Sequence, residues 1–176
     1  DWVVDMATAS LSRRCLRRPA IELEIHRTSV AAWGLFARHH YLTGSLAPQA
    51  ECYLTTWEGE PVNFCATLPM IGHRHRRRFT RVVTLPDYQG IGIGTRAMRT
   101  VAELHAERGH RVNITSSHPG LVQHCRRSPW WRAVGVRTFS RTATRSRRFR
   151  SYRDSGYRPV ASFEFVPPAS HAEALQ

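Results

Sequence analysis

The sequence of 176 residues predicts a single α/β domain of the α+β type, built on a mixed central β-sheet. Two observations indicate this fold class. Strand-like and helix-like segments alternate along the chain, which is typical of a sheet covered by helices. In addition, a β-branched strand at 81–85 leads through a glycine-rich turn into a segment at 96–108 with apolar residues at helical spacing. The length is sufficient for one domain with a buried core.

The N-terminal third of the chain predicts helices and strands in alternation. Apolar residues at helical spacing over 1–18, ended by Pro19, predict an amphipathic helix, so that 1–20 forms an N-terminal helix and linker. Alternating residues at 21–26 predict a half-buried strand, and Ser29 is a suitable N-cap for a short helix at 30–38.

The middle and end of the chain predict a hairpin followed by further strands and helices. Two strands at 50–57 and 61–68 flank Glu58-Gly59-Glu60, a hairpin signature, and a basic loop follows at 72–78. After the helix at 96–108, the pattern predicts a strand at 112–115, a helix at 120–127 opened by Pro119, and a last strand at 160–166. The main domain is therefore expected over 21–166, with a disordered tail at 167–176.

The glycine-rich turn has the features of an anion site. Gly90, Gly92 and Gly94 follow a strand and precede a helix N-terminus, where free N–H groups and the helix dipole favour a phosphate. The spacing is G-x-G-x-G and not the G-x-G-x-x-G of dinucleotide sites, and the chain has no lysine for a P-loop. A turn without a ligand is the alternative.

The spacing Gln89-x-x-Gly92-x-Gly94, with its flanking strand and helix, resembles the acyl-CoA pyrophosphate motif of the GNAT acyltransferase superfamily. The resemblance implies a GNAT fold, in which a mixed sheet is splayed near its middle and helices lie on both faces. It implies that acetyl-CoA or another acyl-CoA is the cofactor, held by backbone N–H groups of the turn and paired through pantetheine with the strand at 81–85. The expected cofactor-binding residues are Val83, Leu85, Gln89, Gly90, Gly92, Gly94 and Thr95.

Candidate catalytic residues follow two of the predicted elements. His40 and Tyr41 lie in the loop after the first short helix, which lines the acceptor pocket in GNAT domains, and can titrate or stack on a planar substrate. Ser117 and His118 follow the strand at 112–115 and are expected to face the thioester. The alternatives are packing residues for the first pair and helix N-caps for the second. The helix at 120–127 has no tyrosine, which departs from the usual GNAT acid.

The charge distribution indicates a polyphosphate partner. All 26 basic residues are arginines, against 13 acidic ones, and eleven of them lie between Arg126 and Arg158 with Asp154 as the single acid. Such an excess favours DNA or another nucleic acid, while a solvated basic face is the alternative. Tyr41, Trp130 and Trp131 are stacking candidates. The expected phosphate contacts are Arg74, Arg76, Arg77, Arg78, Arg141, Arg145, Arg147, Arg148 and Arg150.

Short phrases in the chain resemble a narrower group of GNAT-like proteins. LFARHHYLTGSL, LPDYQGIGIG, TSSHPGLVQHCRRSPWW and ASFEFVPP are similar to proteins of phages and mobile elements related to the Mom DNA-modification protein, and to GNAT domains fused to an ABC-type ATPase. The Mom resemblance implies modification of a DNA base amine, classically that of adenine, and a connection with iron, although no metal triad can be identified by spacing. An ABC-type ATPase is then a candidate partner, and the aspartate at position 1 suggests a fragment of a longer fusion.

Two alternative functions and the cellular location complete the expectations from the sequence. An N-acetyltransferase of a small molecule or protein amine would not need this charge, and a catalytically idle GNAT fold would serve as a nucleic-acid-binding module. The chain has no run of 18 apolar residues, so no membrane partner is expected. The cysteines (Cys15, Cys52, Cys65 and Cys125) are far apart, which favours free thiols and a cytoplasmic location.

Overall fold

A computed structural model of the chain describes residues 2–13, 20–40, 45–138 and 159–167. A small hairpin comes first, with strands β1 (Trp2–Asp5) and β2 (Ser10–Arg13). The main sheet contains β3 (Glu24–Thr28), β4 (Glu51–Trp57), β5 (Glu60–Met70), β6 (His73–Thr84), β7 (Arg111–Ser116), β8 (Trp131–Thr138) and β9 (Pro159–Phe165). The α-helices are α1 (Ile93–Glu107) and α2 (Pro119–Arg127), and 3₁₀ helices span Val30–Leu35, Ala37–His39 and Pro86–Tyr88.

The strands of the main sheet lie in the order β3-β4-β5-β6-β7-β9-β8, and the only parallel pair among the described residues is β6 with β7. This confirms the mixed sheet. The parallel pairing extends only from Arg76 to Arg78 on β6, opposite 111–113 of β7. Beyond Arg78 the two strands separate. A bulge at Thr80 accompanies the separation, since Phe79 lies opposite Thr67 and Arg81 opposite Ala66.

The two faces of the sheet are covered by different helices. Helices α1 and α2 pack on one face, where Met98, Val101 and Cys125 belong to the larger buried cluster. The 3₁₀ helices at 30–39 pack on the opposite face, where Trp33 and Phe36 contact the strands of the first half of the sheet. Of the helices that the structure describes, none is long and apolar enough to cross a membrane.

The structure differs from the sequence prediction at the N-terminus and at two basic segments. Residues 2–13 form a hairpin and not part of a helix, because Trp2, Val3 and Val4 favour a strand and Ala9, at φ 50°, allows the turn. The short helix at 30–38 is 3₁₀ in two pieces. The predicted basic loop at 72–78 is mostly the start of β6, and the unassigned arginine-rich stretch begins with β8. Of the expected tail at 167–176, all but Pro167 lies outside the described residues, as does Cys15.

Candidate active site

A cavity of about 570 Å³ lies where β6 and β7 separate. Its walls are β6 from Phe79 to Thr84, the end of β7, the glycine-rich turn with the first residues of α1, the start of α2, and His39 with His40 from the 3₁₀ helix on the opposite face. The cavity therefore passes through the sheet from one face to the other. Over Phe79–Thr84, no strand in the described part of the chain pairs with the edge of β6 that faces β7.

The glycine-rich turn at one end of the cavity has the backbone that an anion site needs. Gly90 and Gly92 have φ values of 82° and 94°, which side chains beyond glycine rarely adopt. No described side chain caps the first turn of α1, and Thr95 donates its hydroxyl to the Gly92 carbonyl (3.0 Å), away from the free N–H groups. The N–H groups of this turn are therefore available to a ligand.

A buried asparagine fixes the strand beneath that turn. Asn63 on β5 is fully buried and donates to the Val83 carbonyl (3.0 Å) and to Thr84 Oγ1 (2.9 Å). A Cβ added at Gly94 would collide with this same Thr84 hydroxyl. Gly94 is therefore required for the close approach of α1 to β6, whereas Gly90 and Gly92 are required for the shape of the turn.

Two histidines and an arginine line the side of the cavity away from α1. His40 is half-buried with its ring edge-on to Trp33, at 5.7 Å between centroids, and His39 Nε2 accepts a hydrogen bond from Arg38 Nε (3.0 Å). Arg81 lies over the Trp33 ring and donates to the Ser45 carbonyl (2.6 Å). The packing against Trp33 holds both the His40 imidazole and the Arg81 guanidinium in this wall.

Of the two predicted residues after β7, Ser117 and His118, only one lines the cavity. His118 lines it, and its Nδ1 accepts from the Leu121 N–H (3.3 Å), which makes His118 the N-cap of α2. Ser117 is not among the lining residues. Its neighbour Ser116 is, and Ser116 Oγ accepts from the His118 N–H (3.0 Å). The N-cap alternative is therefore realised at His118, which leaves its Nε2 for other contacts.

The lining of the cavity is basic. Arg81, His39, His40 and His118 contribute to it, and none of its described lining residues is an aspartate or glutamate. A cationic amine, such as a lysine side chain or a polyamine, would meet no opposite charge there. An acceptor whose amine is neutral, or which also carries phosphate, suits this lining better.

A second groove of about 440 Å³ shares Gly92 and Thr95 with the first cavity. Its cationic side chains come from both helices, and the Arg99 guanidinium lies 3.7 Å from the centroid of the Trp130 ring. Burial lowers the pKa of His124 in this groove. The groove is further lined by Arg96, Arg99, Arg127 and Pro129. It offers arginines and an aromatic face directly beside the glycine-rich turn.

A buried polar network lies at the opposite end of α1. His105 is fully buried, and its Nε2 lies 2.9 Å from Thr67 Oγ1 and 3.4 Å from the Tyr53 hydroxyl. Burial lowers the pKa of His105 to about 4. Tyr53 donates to Glu51 (2.9 Å), and burial, together with this hydrogen bond, raises the pKa of Tyr53 to about 12. Glu51 is also paired with Arg77 (3.6 Å), so the network joins α1 to β4, β5 and β6.

The structure places the other predicted residues as follows. Val83 lines the cavity, as do Gln89, Gly90, Gly92, Gly94 and Thr95, whereas Leu85 packs in the core beneath the 3₁₀ helices. Gln89 donates to the Thr84 carbonyl (2.9 Å). Arg74 and Arg78 are exposed, but Arg77 has its ion pair with Glu51 as a partner. Tyr41 and the predicted contacts Arg141, Arg145, Arg147, Arg148 and Arg150 lie outside the described residues.

Two further predictions concern base stacking by Trp131 and a metal site. Trp131 is 5 % exposed and packs against Phe165, so it does not present a ring for base stacking; the prediction failed because the WW pair spans the end of a turn and the start of β8. Among the described residues, no group of three or more His, Cys, Asp or Glu could hold a metal ion. The described part of the chain therefore offers no donor set for the iron implied by the Mom resemblance.

Comparison with known proteins agrees with this geometry. The family profile described as an acetyltransferase (GNAT) domain matches residues 48–159, which include the glycine-rich turn and the two strands, β6 and β7, that separate at the cavity. The chain belongs to the GNAT acetyltransferase family. The GNAT fold implied by the turn motif is thereby confirmed. No curated protein matches the chain by sequence.

Solved structures with this fold share little sequence with the GNAT domain described here. A Bacillus subtilis acetyltransferase in complex with CoA is 11 % identical, with a TM-score of 0.62, and the match covers 85 % of this chain and all of that one. The ribosomal-protein-S18-alanine N-acetyltransferase of Escherichia coli is 13 % identical with a TM-score of 0.61, covering 84 % and 96 %. The IAA acetyltransferase of Bacillus cereus is 13 % identical with a TM-score of 0.59, covering 82 % and 100 %. These matches support the fold and leave the acceptor open.

Three residues that shape this GNAT site were not predicted from the sequence. Asn63 interrupts an otherwise apolar run in β5, and that interruption was the available signal. Thr84 and Arg81 occur in a strand whose basic first half and β-branched second half single out neither residue. Their roles depend on the bulge in β6 and on the packing of Arg81 against Trp33. Both arise from contacts between segments that are distant in sequence.

Proposed function

We propose that this GNAT domain transfers an acyl group from acyl-CoA to an uncharged amine of a nucleic acid, with a DNA base amine such as that of adenine as the leading acceptor. The observation that carries the acyl-CoA part is the cavity between β6 and β7, which begins at the open N–H groups of the glycine-rich turn. The basic lining, without a carboxylate among its described residues, supports the acceptor part.

Acyl-CoA fits the two grooves in one extended pose. The Gln89 N–H donates to the Pro86 carbonyl (3.2 Å), whereas the N–H groups from Gly90 to Thr95, which lead into the uncapped start of α1, would hold the pyrophosphate. The unpaired edge of β6 would accept pantetheine as an added strand, and the thioester would then lie in the cavity. The phosphorylated adenosine would occupy the second groove, where Arg96, Arg127 and the Trp130 ring provide charge and an apolar face.

Acyl-CoA supplies the electrophilic thioester carbonyl. The acceptor amine would enter from the side of His40 and form a C–N bond as the C–S bond breaks. His40, which lines the cavity, would take the proton of the attacking amine, while the CoA thiolate would leave and be protonated. Arg81, fixed by Trp33 and Ser45, would repel a cationic acceptor and attract a phosphate of the same nucleotide.

The nucleic-acid acceptor is supported by charge outside the cavity as well. The net charge is +13, and the segment from Arg126 to Arg158 carries most of it. A single CoA needs only a few cationic contacts, so the remaining arginines favour a polyanion. The resemblance of four phrases to Mom-related proteins points to the same acceptor, and a base amine would have to leave its stack to enter the cavity. An ABC-type ATPase domain and a cytoplasmic setting stay predictions.

Two alternatives have different experimental signatures. The E. coli neighbour acts on an alanine of a ribosomal protein, and the B. cereus neighbour is described as an IAA acetyltransferase, so a protein or small-molecule acceptor is the rival reaction. A nucleic-acid-binding GNAT fold without turnover is the rival from another class.

One experiment separates all three. DNA and RNA from cells that express the protein are digested to nucleosides and analysed by mass spectrometry, beside cells that express Gly92→Val. An acyl-sized mass increase on one nucleoside, present only with the parent protein, supports the proposal. Its absence, together with acetyl-CoA consumption in the presence of a peptide or small amine, assigns the rival reaction. Absence of both, with CoA binding retained, assigns the idle module.

A further inference from the structure

Among the described helices, none covers the second half of the sheet face opposite α1 and α2. Neither α-helix lies on that face, and the 3₁₀ helices at 30–39 pack on the first half only. Strand register identifies the side chains on the open half. Arg78, Asn113, Glu164 and Arg132 occupy one row across four strands, next to the paired arginines Arg76 and Arg111.

The open half of this face carries five arginines, which we name the arginine face: Arg76, Arg78, Arg111, Arg132 and Arg137. Glu164 is the one acid in the described parts of β6 to β9. Arg111 donates to both of its oxygens (2.7 and 2.8 Å), and Arg132 donates to one (3.1 Å). Burial acts to raise the pKa of Glu164, but the hydrogen bonds and charges of these arginines outweigh it and lower the pKa.

The remaining arginines of this face have no acidic partner among the described residues. Arg78 and Arg137 are exposed, Arg76 is half-buried, and none of the three makes an ion pair there. Arg77, between Arg76 and Arg78 on β6, lies on the opposite face of the sheet and pairs with Glu51. Charges of one sign on a flat surface repel one another, so an anionic partner would stabilise this arrangement.

We propose that the arginine face binds the phosphate backbone of duplex nucleic acid and delivers it to the cavity. The inference rests on the proposed nucleic-acid acceptor and names its docking surface. Adjacent strands are about 4.8 Å apart, so Arg78 and Arg132 lie roughly 14 Å apart across the sheet. One nucleic-acid strand advances about 3.4 Å along the axis per phosphate, so this row spans about four phosphates.

The composition of the face selects duplex backbone over single-stranded bases. Its described side chains are arginines with Asn113, Thr115, Ser162 and Glu164, together with Val160 opposite Arg137, and none of them is aromatic. Single-stranded sites depend on aromatic platforms for base stacking. A face of guanidinium and short polar groups instead positions phosphates and carries no sequence information.

The arginine face lies directly beside the cavity, so nucleic acid bound to it would be close to the proposed acceptor site. Arg78 and Asn113 form the last paired row before β6 and β7 separate, and the next residues, Phe79 and Ile114, line the cavity. His40 opens onto the cavity from this same side of the sheet, since the 3₁₀ helices pack there. A backbone seated on the arginines would thus lie within about two residues, or 7 Å, of the acceptor opening.

The test compares two charge reversals of equal size. Arg78→Glu changes the arginine face, and Arg126→Glu changes an exposed arginine of α2 on the opposite side of the sheet. Binding of the full chain to a labelled mixed-sequence duplex of about 20 base pairs is measured by fluorescence anisotropy between about 50 and 200 mM salt. We expect Arg78→Glu to weaken binding tenfold or more and to lower the salt slope by about 1, with less than about a threefold change for Arg126→Glu.

Two kinds of outcome contradict the inference. Equal losses for the two variants, or no duplex binding by the parent at low salt, overturn the docking surface. Tighter, Arg78-dependent binding to poly-glutamate than to duplex overturns the choice of nucleic acid. Melting temperature confirms that the variants are folded, and Arg76→Glu replaces Arg78→Glu if the latter is not. The CoA affinity of Arg78→Glu should match that of the parent. If the parent binds duplex through Arg78 but transfers no acyl group, only the proposed function is refuted.

Discussion

Gly94 packs directly against Thr84, so that a Cβ at position 94 would collide with Thr84 Oγ1. The Asn63 side-chain amide donates a 2.9 Å hydrogen bond to that hydroxyl and so fixes its position. The distance between the glycine-rich turn and the cavity wall is therefore set by one contact between a helix glycine and a strand threonine. This contact shapes the cavity through packing alone.

The first prediction concerns this contact. Gly94→Ala should lower the free energy of unfolding by about 1–3 kcal/mol, because overpacking exceeds the gain from the better helix former. Thr84→Ala in the same chain removes the obstructing hydroxyl and should restore much of the loss. Gly34→Ala, where a Cβ meets nothing within 4 Å, is the matched control. Urea unfolding measures all four proteins, and an unchanged stability of Gly94→Ala contradicts the packing argument.

The second prediction concerns the turn itself. Gly92 has φ 94° and open space around its missing Cβ, which is where the pyrophosphate oxygens would lie. Gly92→Val should therefore reduce CoA affinity by about 100-fold or more, through backbone strain and occupied ligand space together. Gly59→Val has the same strain in a hairpin turn, at φ 81°, and should bind CoA normally. Calorimetry with CoA decides, and equal affinities of the two variants would refute the assignment of the turn.

Sequence alone predicted the parts of this site that depend on local pattern. The glycine spacing, the strand before it and the helix after it lie in one continuous segment, so they specify the GNAT fold without knowledge of any distant contact. The role of Arg77 was not predictable in this way, because its partner Glu51 is brought to it by sheet pairing. The same holds for Trp131, whose burial depends on Phe165. The basic residues 73–78 resembled a loop since charge at an exposed sheet end is locally indistinguishable from charge in a turn.

The third prediction tests whether His118 acts only as a helix cap. His118→Ala should destabilise the domain by about 0.5–2 kcal/mol, because the Leu121 N–H loses its acceptor. His118→Asn keeps a capping oxygen and should retain the parent's stability. If acyl transfer also returns with asparagine, His118 is a cap. If stability returns and turnover does not, its Nε2 takes part in the reaction.

The fourth prediction concerns pH. Because burial holds the pKa of His105 at about 4 in the folded state, the unfolded chain, with a histidine pKa near about 6.5, binds the proton first as pH falls. Stability should therefore fall between about pH 6.5 and 4, by at most about 3 kcal/mol from this group. His105→Gln, which cannot titrate, should flatten that dependence in urea unfolding, whereas exposed His75→Gln should not. An identical pH profile for His105→Gln and the parent contradicts the neutral, buried state.

The last prediction assigns His40 a role in turnover. His40 lines the cavity opposite the glycine-rich turn, so its loss should lower kcat by about 10²-fold, the usual worth of a positioned acid–base group, with CoA affinity nearly unchanged. Its edge-on contact with Trp33 also permits a packing role. A packing role predicts a lower melting temperature and near-normal turnover in the protein that stays folded. His40→Ala is therefore assayed for turnover, CoA binding and melting temperature on one sample. His40→Gln, which keeps a hydrogen-bonding side chain of similar size but cannot exchange a proton near neutral pH, should fold like the parent and remain slow if His40 is the base.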